Sequence, residues 1–268
     1  MRMSVGYDTE TGSIIGQQLD RLTLRMNLDY QVSSRIKFSS NMSFSYNDNK
    51  RNSDALLSLA YKKMPNLAIY TQDIYGNDTD EFYKVRSDIS PALSDQLTVN
   101  PLASAAYAKN EQKSYNIAPQ FNISYDLLGT HQDETRLQYL GAVSIGISSS
   151  NTESYYPAIL KSVEWNEGVN TSSLSQSRDI GFTTRHQLIL TPHFSNPDHS
   201  FSSLARIEIM TSTGSSQGTS SYGGPSGIES STVDSYISGM SSSSGESRNV
   251  NATWSGHYSY KSKYSVST

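Results

Sequence analysis

Five histidines, His131, His186, His193, His199 and His257, are the first residues to test for chemistry. None pairs at the spacing that sets two metal ligands on one helix face, so they read as turn and interface residues. Asp73, Asn77, Asp78, Asp80 and Glu81 gather oxygen ligands of the kind calcium takes, but not at EF-hand spacing, which favours a solvated loop. Asp133 and Glu134 sit together at a turn, with nothing nearby to raise the pKa of one as glycoside hydrolysis needs. Cysteine is absent, so there is no thiolate ligand, thiol nucleophile or disulfide. No nucleophile elbow, phosphate-cradling loop or dinucleotide fingerprint is present. The expectation is a chain without cofactor or metal that is not an enzyme. The best ligand candidates are Tyr155, Tyr156 and Trp165, whose rings suit stacking on sugars if they stand exposed in a loop; the competing role is packing within that loop.

The elements that would carry these residues are strands. Leu22, Leu24, Met26, Leu28 and Tyr30 share one parity, against Thr23, Arg25, Asn27 and Asp29. Ile36, Phe38, Met42, Phe44 and Tyr46 then alternate with Lys37, Ser39, Asn41, Ser43 and Ser45. Successive strand side chains point to opposite faces, so each arm has one apolar and one polar face. The pattern returns around Tyr115–Leu127, Leu137–Ile147, Phe182–Phe194, Phe201–Ile209 and Val250–Tyr260, with a weaker strand at Arg2–Glu10 and a last one from Tyr264. About nine strands result. Ten residues rising ~3.3 Å each at a tilt of ~45° climb about 23 Å, close to the ~25 Å apolar band of an outer-membrane barrel.

Connections alternate in length. Short turns are expected at Val32–Arg35, Leu128–Asp133, Ser195–Asp198 and Lys261–Lys263. Long ones are expected at Asp48–Asn110, Ser149–Ser175 and the Ser/Gly-rich Thr211–Arg248, the last read as a mobile loop. Up-and-down barrels of the outer membrane keep short periplasmic turns and long external loops in this phase. Tyr30, Tyr125, Phe194 and Tyr260 precede the short turns, and Tyr46, Tyr115 and Phe182 mark the opposite ends, as two interfacial girdles would. Ser53–Met64 carries a helical stripe, with Ser53 as N-cap and Pro65 as stop. Pro119 and Pro192 fall inside strands, and Pro119 predicts a bulge or fray. Arg25, Arg136, Arg185, Arg206 and Glu208 fall on the polar parity and should face a lumen, since an Arg facing lipid at mid-bilayer costs ~2–4 kcal/mol. His186 falls on the apolar parity.

Composition agrees with a wall between two solvents. The 268 residues are 35% hydrophobic, with a mean hydropathy of -0.53 and aromatic content led by 18 Tyr. A net charge of -4 gives no reason to expect nucleic-acid binding. No run is long and apolar enough for a membrane helix, and Met1–Tyr7 lacks the apolar core of a secretory signal.

Thr11–Gly16, the run Leu22–Val32 with Phe38–Tyr46, Asn100–Ala103 and Tyr258–Ser267 resemble the barrel of the SusC/RagA family, TonB-dependent outer-membrane transporters of Bacteroidetes. The resemblance implies an all-β fold: an antiparallel transmembrane β-barrel segment, residues 1–268 forming part of a barrel of about 22 strands. It implies import of nutrients such as oligosaccharides or peptides at the bacterial outer membrane. The implied partners are outer-membrane lipid, the rest of the barrel and its plug, a SusD-like surface lipoprotein and, through the N-terminal part not seen in this chain, the TonB complex. No plug is recognisable, so the chain is expected to supply barrel wall and external loops. The alternative is a soluble or surface-anchored all-β carbohydrate-binding or adhesin module whose apolar faces pack on each other.

Overall fold

A computed structural model describes residues 1–52, 56–63, 67–83, 99–129, 134–160, 170–223 and 236–268. One nine-stranded antiparallel sheet dominates it. Its strands are β1 (Arg2–Thr11), β2 (Gln18–Gln31), β3 (Ile36–Lys50), β6 (Lys109–Leu128), β7 (Arg136–Tyr156), β8 (Thr171–Thr191), β9 (His199–Tyr222), β10 (Tyr236–Tyr260) and β11 (Tyr264–Ser267), each beside its neighbour in chain order. Between β3 and β6 lie helix α1 (Leu56–Lys62), a two-stranded sheet of β4 (Tyr70–Gln72) and β5 (Asp78–Phe82), and helix α2 (Pro101–Tyr107). The expected all-β antiparallel meander is therefore present, and the small β4–β5 hairpin adds to it.

The predicted parities hold across the whole sheet. Leu22 pairs with Tyr46 and Tyr46 with Tyr115, while Leu24, Phe44, Ile117, Ile147 and Ile180 form the next row on the same face. The short turns close as expected from their polar residues. Ser33 Oγ accepts from the amides of Arg35 (3.2 Å) and Ile36 (3.1 Å). Asn196 Oδ1 accepts from Asp198 N at 3.0 Å. Lys261 and Ser262 turn β10 into β11 with φ of 51° and 52°. Of the Leu128–Asp133 turn only Leu128 and Gly129 are described, Gly129 at φ 64° where a side chain would strain the backbone.

Several expectations need correction. Thr211–Arg248 is not mainly a loop: β9 runs on to Tyr222 and β10 starts at Tyr236, paired from Tyr236↔Tyr222 down to Tyr260↔His199. Its Ser, Thr and Gly residues are polar on both faces and so show no alternation, but their backbones still form a full ladder. Cross-strand hydroxyl pairs, Ser212–Ser247 at 2.8 Å and Ser216–Ser243 at 2.7 Å, line it. Likewise the long connection Ser149–Ser175 shrinks to residues 157–170. Of the bulge or fray expected at Pro119, the ladder shows the fray: pairing to β7 lapses at Ala118 and Pro119 and resumes at Gln120↔Ser144 in unchanged register. The bulge lies further on, between Asp126 and Leu128. Pro192 stands just past the end of β8. The helix expected over Ser53–Met64 is the shorter Leu56–Lys62, while Ser53, Met64 and Pro65 lie outside the described residues.

Helix α2 was not anticipated, although its start signal was in plain view. Asn100 Oδ1 accepts from the amides of Leu102 (3.1 Å) and Ala103 (3.5 Å), and Pro101 occupies the first turn. The Asn100 amide donates to Ile69 O at 2.8 Å and ties the helix to the β4–β5 hairpin. There Tyr70 stacks on Phe82 (5.1 Å), which meets Tyr107 edge-on (5.5 Å).

Where the core sits decides how the sheet is solvated. Among the described residues the buried hydrophobic side chains are Leu56, Ala103, Tyr155 and Leu160, all at the long-loop end. Among the described residues no layer covers the apolar face of the sheet. Ile207 is 50% exposed and Trp254 62% exposed. The opposing apolar sheet that a sandwich requires is not present among the described residues.

Candidate functional site

Two faces of the sheet offer sites, and their geometry follows from register. On the apolar face the run of apolar side chains toward the long loops ends at Tyr46 on β3, Tyr115 on β6, Ile147 on β7, Ile180 on β8, Ile209 on β9 and Val250 on β10, each followed on that face by at least two polar residues; Tyr155, Leu174, Met240 and Ile237 stand apart beyond it on the same face. These do not lie in one cross-strand row. The row through Tyr46 reaches Ser149, Arg178, Ser215 and Ser244, whereas Val250's row returns to Ser40, six residues along β3 from Tyr46. The upper border of the apolar band thus falls by six residues, about 20 Å along the strand, over five strand spacings, about 24 Å. That slope of about 40° lies within the ~35–45° tilt of outer-membrane barrel strands. A border oblique to the rows becomes level once the strands are tilted. On β7 the band runs from Leu137 to Ile147, about 33 Å along the strand and about 25 Å in height at that tilt.

Polar groups on this face are locally satisfied. His186 Nδ1 and the Tyr139 hydroxyl lie 2.6 Å apart with their rings stacked. Gly141, opposite His186, makes room for this: a Cβ there would stand 2.8 Å from Tyr139 Oη and 2.9 Å from Ile123 Cγ2. His199 Nδ1 and Tyr258 Oη pair likewise at 2.6 Å among Phe194 and Tyr260 near the short turns. On the opposite, polar face His257 Nδ1 meets Ser267 Oγ at 2.9 Å. His131 lies outside the described residues, and among those described no group of histidines and carboxylates could hold a metal ion.

The polar face carries the predicted arginines. Register places Arg185 directly opposite Glu208, with Gln187 opposite Arg206. Glu208, 7% exposed, accepts from Arg185 Nε at 3.0 Å and Nη2 at 3.4 Å and also from Arg206 Nη2. A forked guanidinium–carboxylate pair of this kind is strong and directional. Arg25 and Arg136 share the face but not the cluster, standing opposite Ser43 and Thr191. Gln138 donates to Asp126 at 2.9 Å. A concavity of about 690 Å³ opens on this face, lined by Asp29, Lys37, Ser39, Asn122, Ser124, Ala142, Arg185 and Gln187 among others. Sequence parity found the charged residues. Their meeting at Glu208 needed the register.

The aromatic candidates are placed differently from the loop expected. Tyr155 and Tyr156 end strand β7 and point to opposite faces. Tyr155 is 7% exposed, its ring covered by neighbours, so it offers no open stacking face. Tyr156 is half-buried and shares with Tyr155 the lining of a second concavity of about 620 Å³, together with Lys109, Thr171, Tyr222 and a set of serines. Trp165 lies outside the described residues. In the long loop the Asp73 carboxylate closes the β4–β5 turn, accepting from Tyr75 N and Asn77 N at 2.8 Å each and from the Asn77 side chain at 3.0 Å. The Asn77 hydrogen bonds hold that carboxyl below its ordinary pKa. Asp78 accepts from Gln72 instead, so the oxygen cluster is turn chemistry.

No protein-family model matches the chain, and no curated protein matches it. Solved structures do. The chain superposes on the RagAB peptide transporter with a TM-score of 0.67 at 14% identity, covering 99% of this chain and 29% of that one. It matches the RagAB peptide importer in the closed-closed state (TM-score 0.69, 13% identity, 96% and 28% covered) and in the open-open state (0.68, 14%, 97% and 28%). At this identity the likeness is one of fold, and the chain spans less than a third of the length of those chains.

Proposed function

We propose that this chain is a wall segment of a TonB-dependent, SusC/RagA-type nutrient transporter in a bacterial outer membrane, with its apolar face against lipid and its polar face on the lumen. The observation that carries the reading is the oblique apolar band, whose slope and height both suit strands tilted through a bilayer. The uncovered apolar face supports it, as does a fold shared with transporter chains rather than enzymes. Unpaired backbone groups are costly in hydrocarbon, so the outer edge of β1 and that of β11 with the uncovered length of β10 require further strands of the same barrel. The sequence resemblance supplies the other partners proposed for the whole transporter: a plug, a SusD-like surface lipoprotein and the TonB complex. Oligosaccharides or peptides are the proposed cargo. Beyond the band β8, β9 and β10 continue as strands with polar residues at most positions of both faces, which suits a wall standing above the membrane.

Cysteines placed at Leu24 and Arg25 test the reading in the membrane-assembled protein. A lipid-soluble thiol reagent should label position 24 and spare 25, while a water-soluble reagent should reach 25. Equal labelling of both from the lipid phase would overturn it.

A further inference from the structure

Charge is unevenly sorted over the polar face. Within the band that face carries Arg25, Lys37, Arg136, Arg185 and Arg206 against Asp29, Asp126 and Glu208, a cationic excess in a chain whose net charge is -4. Three of its donors line the 690 Å³ concavity: Lys37, Arg185 and Gln187. Lys37, Ser124, Leu140 and Gln187 form one cross-strand row, and Ser39, Asn122, Ala142 and Arg185 the next. The floor between the cationic ends is therefore mostly small side chains, and the ends stand about 14 Å apart along the sheet.

The donors here are not used up. Glu208 takes Nε and Nη2 of Arg185, leaving Nη1 without a partner among the described residues. The same bond fixes the guanidinium plane, so its remaining edge is preorganised. Lys37 has no ion pair among the described residues, although Asp29 lies on the same rim. Guanidinium and amide donors on a fixed frame, with an ammonium nearby, are what a carboxylate binds.

We propose that this trough is a binding site for the carboxylate group of a small solute, received by Arg185 Nη1 and Gln187 and drawn in by Lys37. Arg206 and Glu208 are positioning residues that hold Arg185. The site rests on the reading of this face as a lumen wall, and it adds a preference for anions on that wall.

Succinate is the probe, titrated into the detergent-solubilised chain and followed by calorimetry, with succinamide as the neutral isostere. Succinate should bind saturably, more weakly as salt rises, and succinamide should not bind. Lys37→Gln and Arg185→Gln should each weaken succinate at least fivefold, while Asp29→Asn should tighten it severalfold by removing a rim anion. Lys37 is exposed and has no ion pair among the described residues, so its substitution leaves the fold alone and keeps the test valid if Arg185→Gln misfolds. Equal binding of succinamide, or wild-type binding by Lys37→Gln, would overturn the site. Lipid-phase labelling at Leu24 in the same protein separates the two readings. Labelling kept with no succinate binding removes the site alone. Binding kept with no labelling removes the lumen wall and leaves an anion site on an exposed face.

Discussion

Glu208 illustrates what single residues reveal here. Alternation alone assigns it to the polar face, yet only the pairing of β8 with β9 sets it between Arg185 and Arg206. Replacing it with Gln leaves two guanidiniums side by side without their shared anion, and we expect a lower thermal midpoint, partly restored by the double substitution Glu208→Gln with Arg206→Gln. His186 was legible as a misfit on the apolar parity. Its answer, a hydroxyl from Tyr139 over the space left by Gly141, depends on three strands meeting and could not be read from one. Gly141→Ala should push the Tyr139 ring off His186 and cost about 1–3 kcal/mol, the usual range for overpacking; denaturant midpoints of G141A and of G141A with Tyr139→Phe measure it. Of the two roles open to Tyr155 in the sequence, stacking on a sugar or packing against neighbours, its 7% exposure at the end of β7 matches packing.

At the scale of elements, β2, β3, β6 and β7 were legible because one of their faces is apolar along much of their length. The outer halves of β9 and β10 were not, since a strand with water on both sides has no hydrophobic period to display. Helix α2 was missed for another reason: Ala103, Ser104, Ala105 and Ala106 are too small to draw an apolar stripe, leaving only Asn100 and Pro101 as a signal. Faces also set tolerance. Val143 lies mid-band on the apolar face, so Val143→Arg should destabilise the assembled protein by ~2–4 kcal/mol. Ser144→Arg, on the other face, should change the unfolding midpoint in lipid far less. The β4–β5 turn has its own pH dependence. Because the Asp73 carboxyl titrates below its unfolded value, the stabilisation it gives is complete above the unfolded pKa and lost as pH falls through the folded one. Amide protection at Tyr75 and Asn77, the exchange rate relative to the intrinsic rate at each pH, should therefore be retained at neutral pH and fall below about pH 4, and Asp73→Asn should show the low protection without that acid transition.

Among the described residues the main sheet is a curtain of nine strands with one greasy side, and on the proposed reading its tilt relative to the membrane is written in the offset between composition and hydrogen bonding. Sequence periodicity shows that each strand has an apolar stretch. Only the register shows that these stretches are staggered, and the stagger is what a tilted wall needs and a soluble sheet does not. A depth measurement addresses this directly. Spin labels at Tyr46, Val250 and Ser244, one at a time in the membrane-assembled protein, report contact with oxygen dissolved in lipid against a water-soluble relaxation agent. Tyr46 and Val250, several rows apart, should show matching depth at the bilayer edge, while Ser244, in the same row as Tyr46, should stand in water above it. Matching depths for Tyr46 and Ser244 with a different one for Val250, or equal exposure of all three to water, would contradict the account.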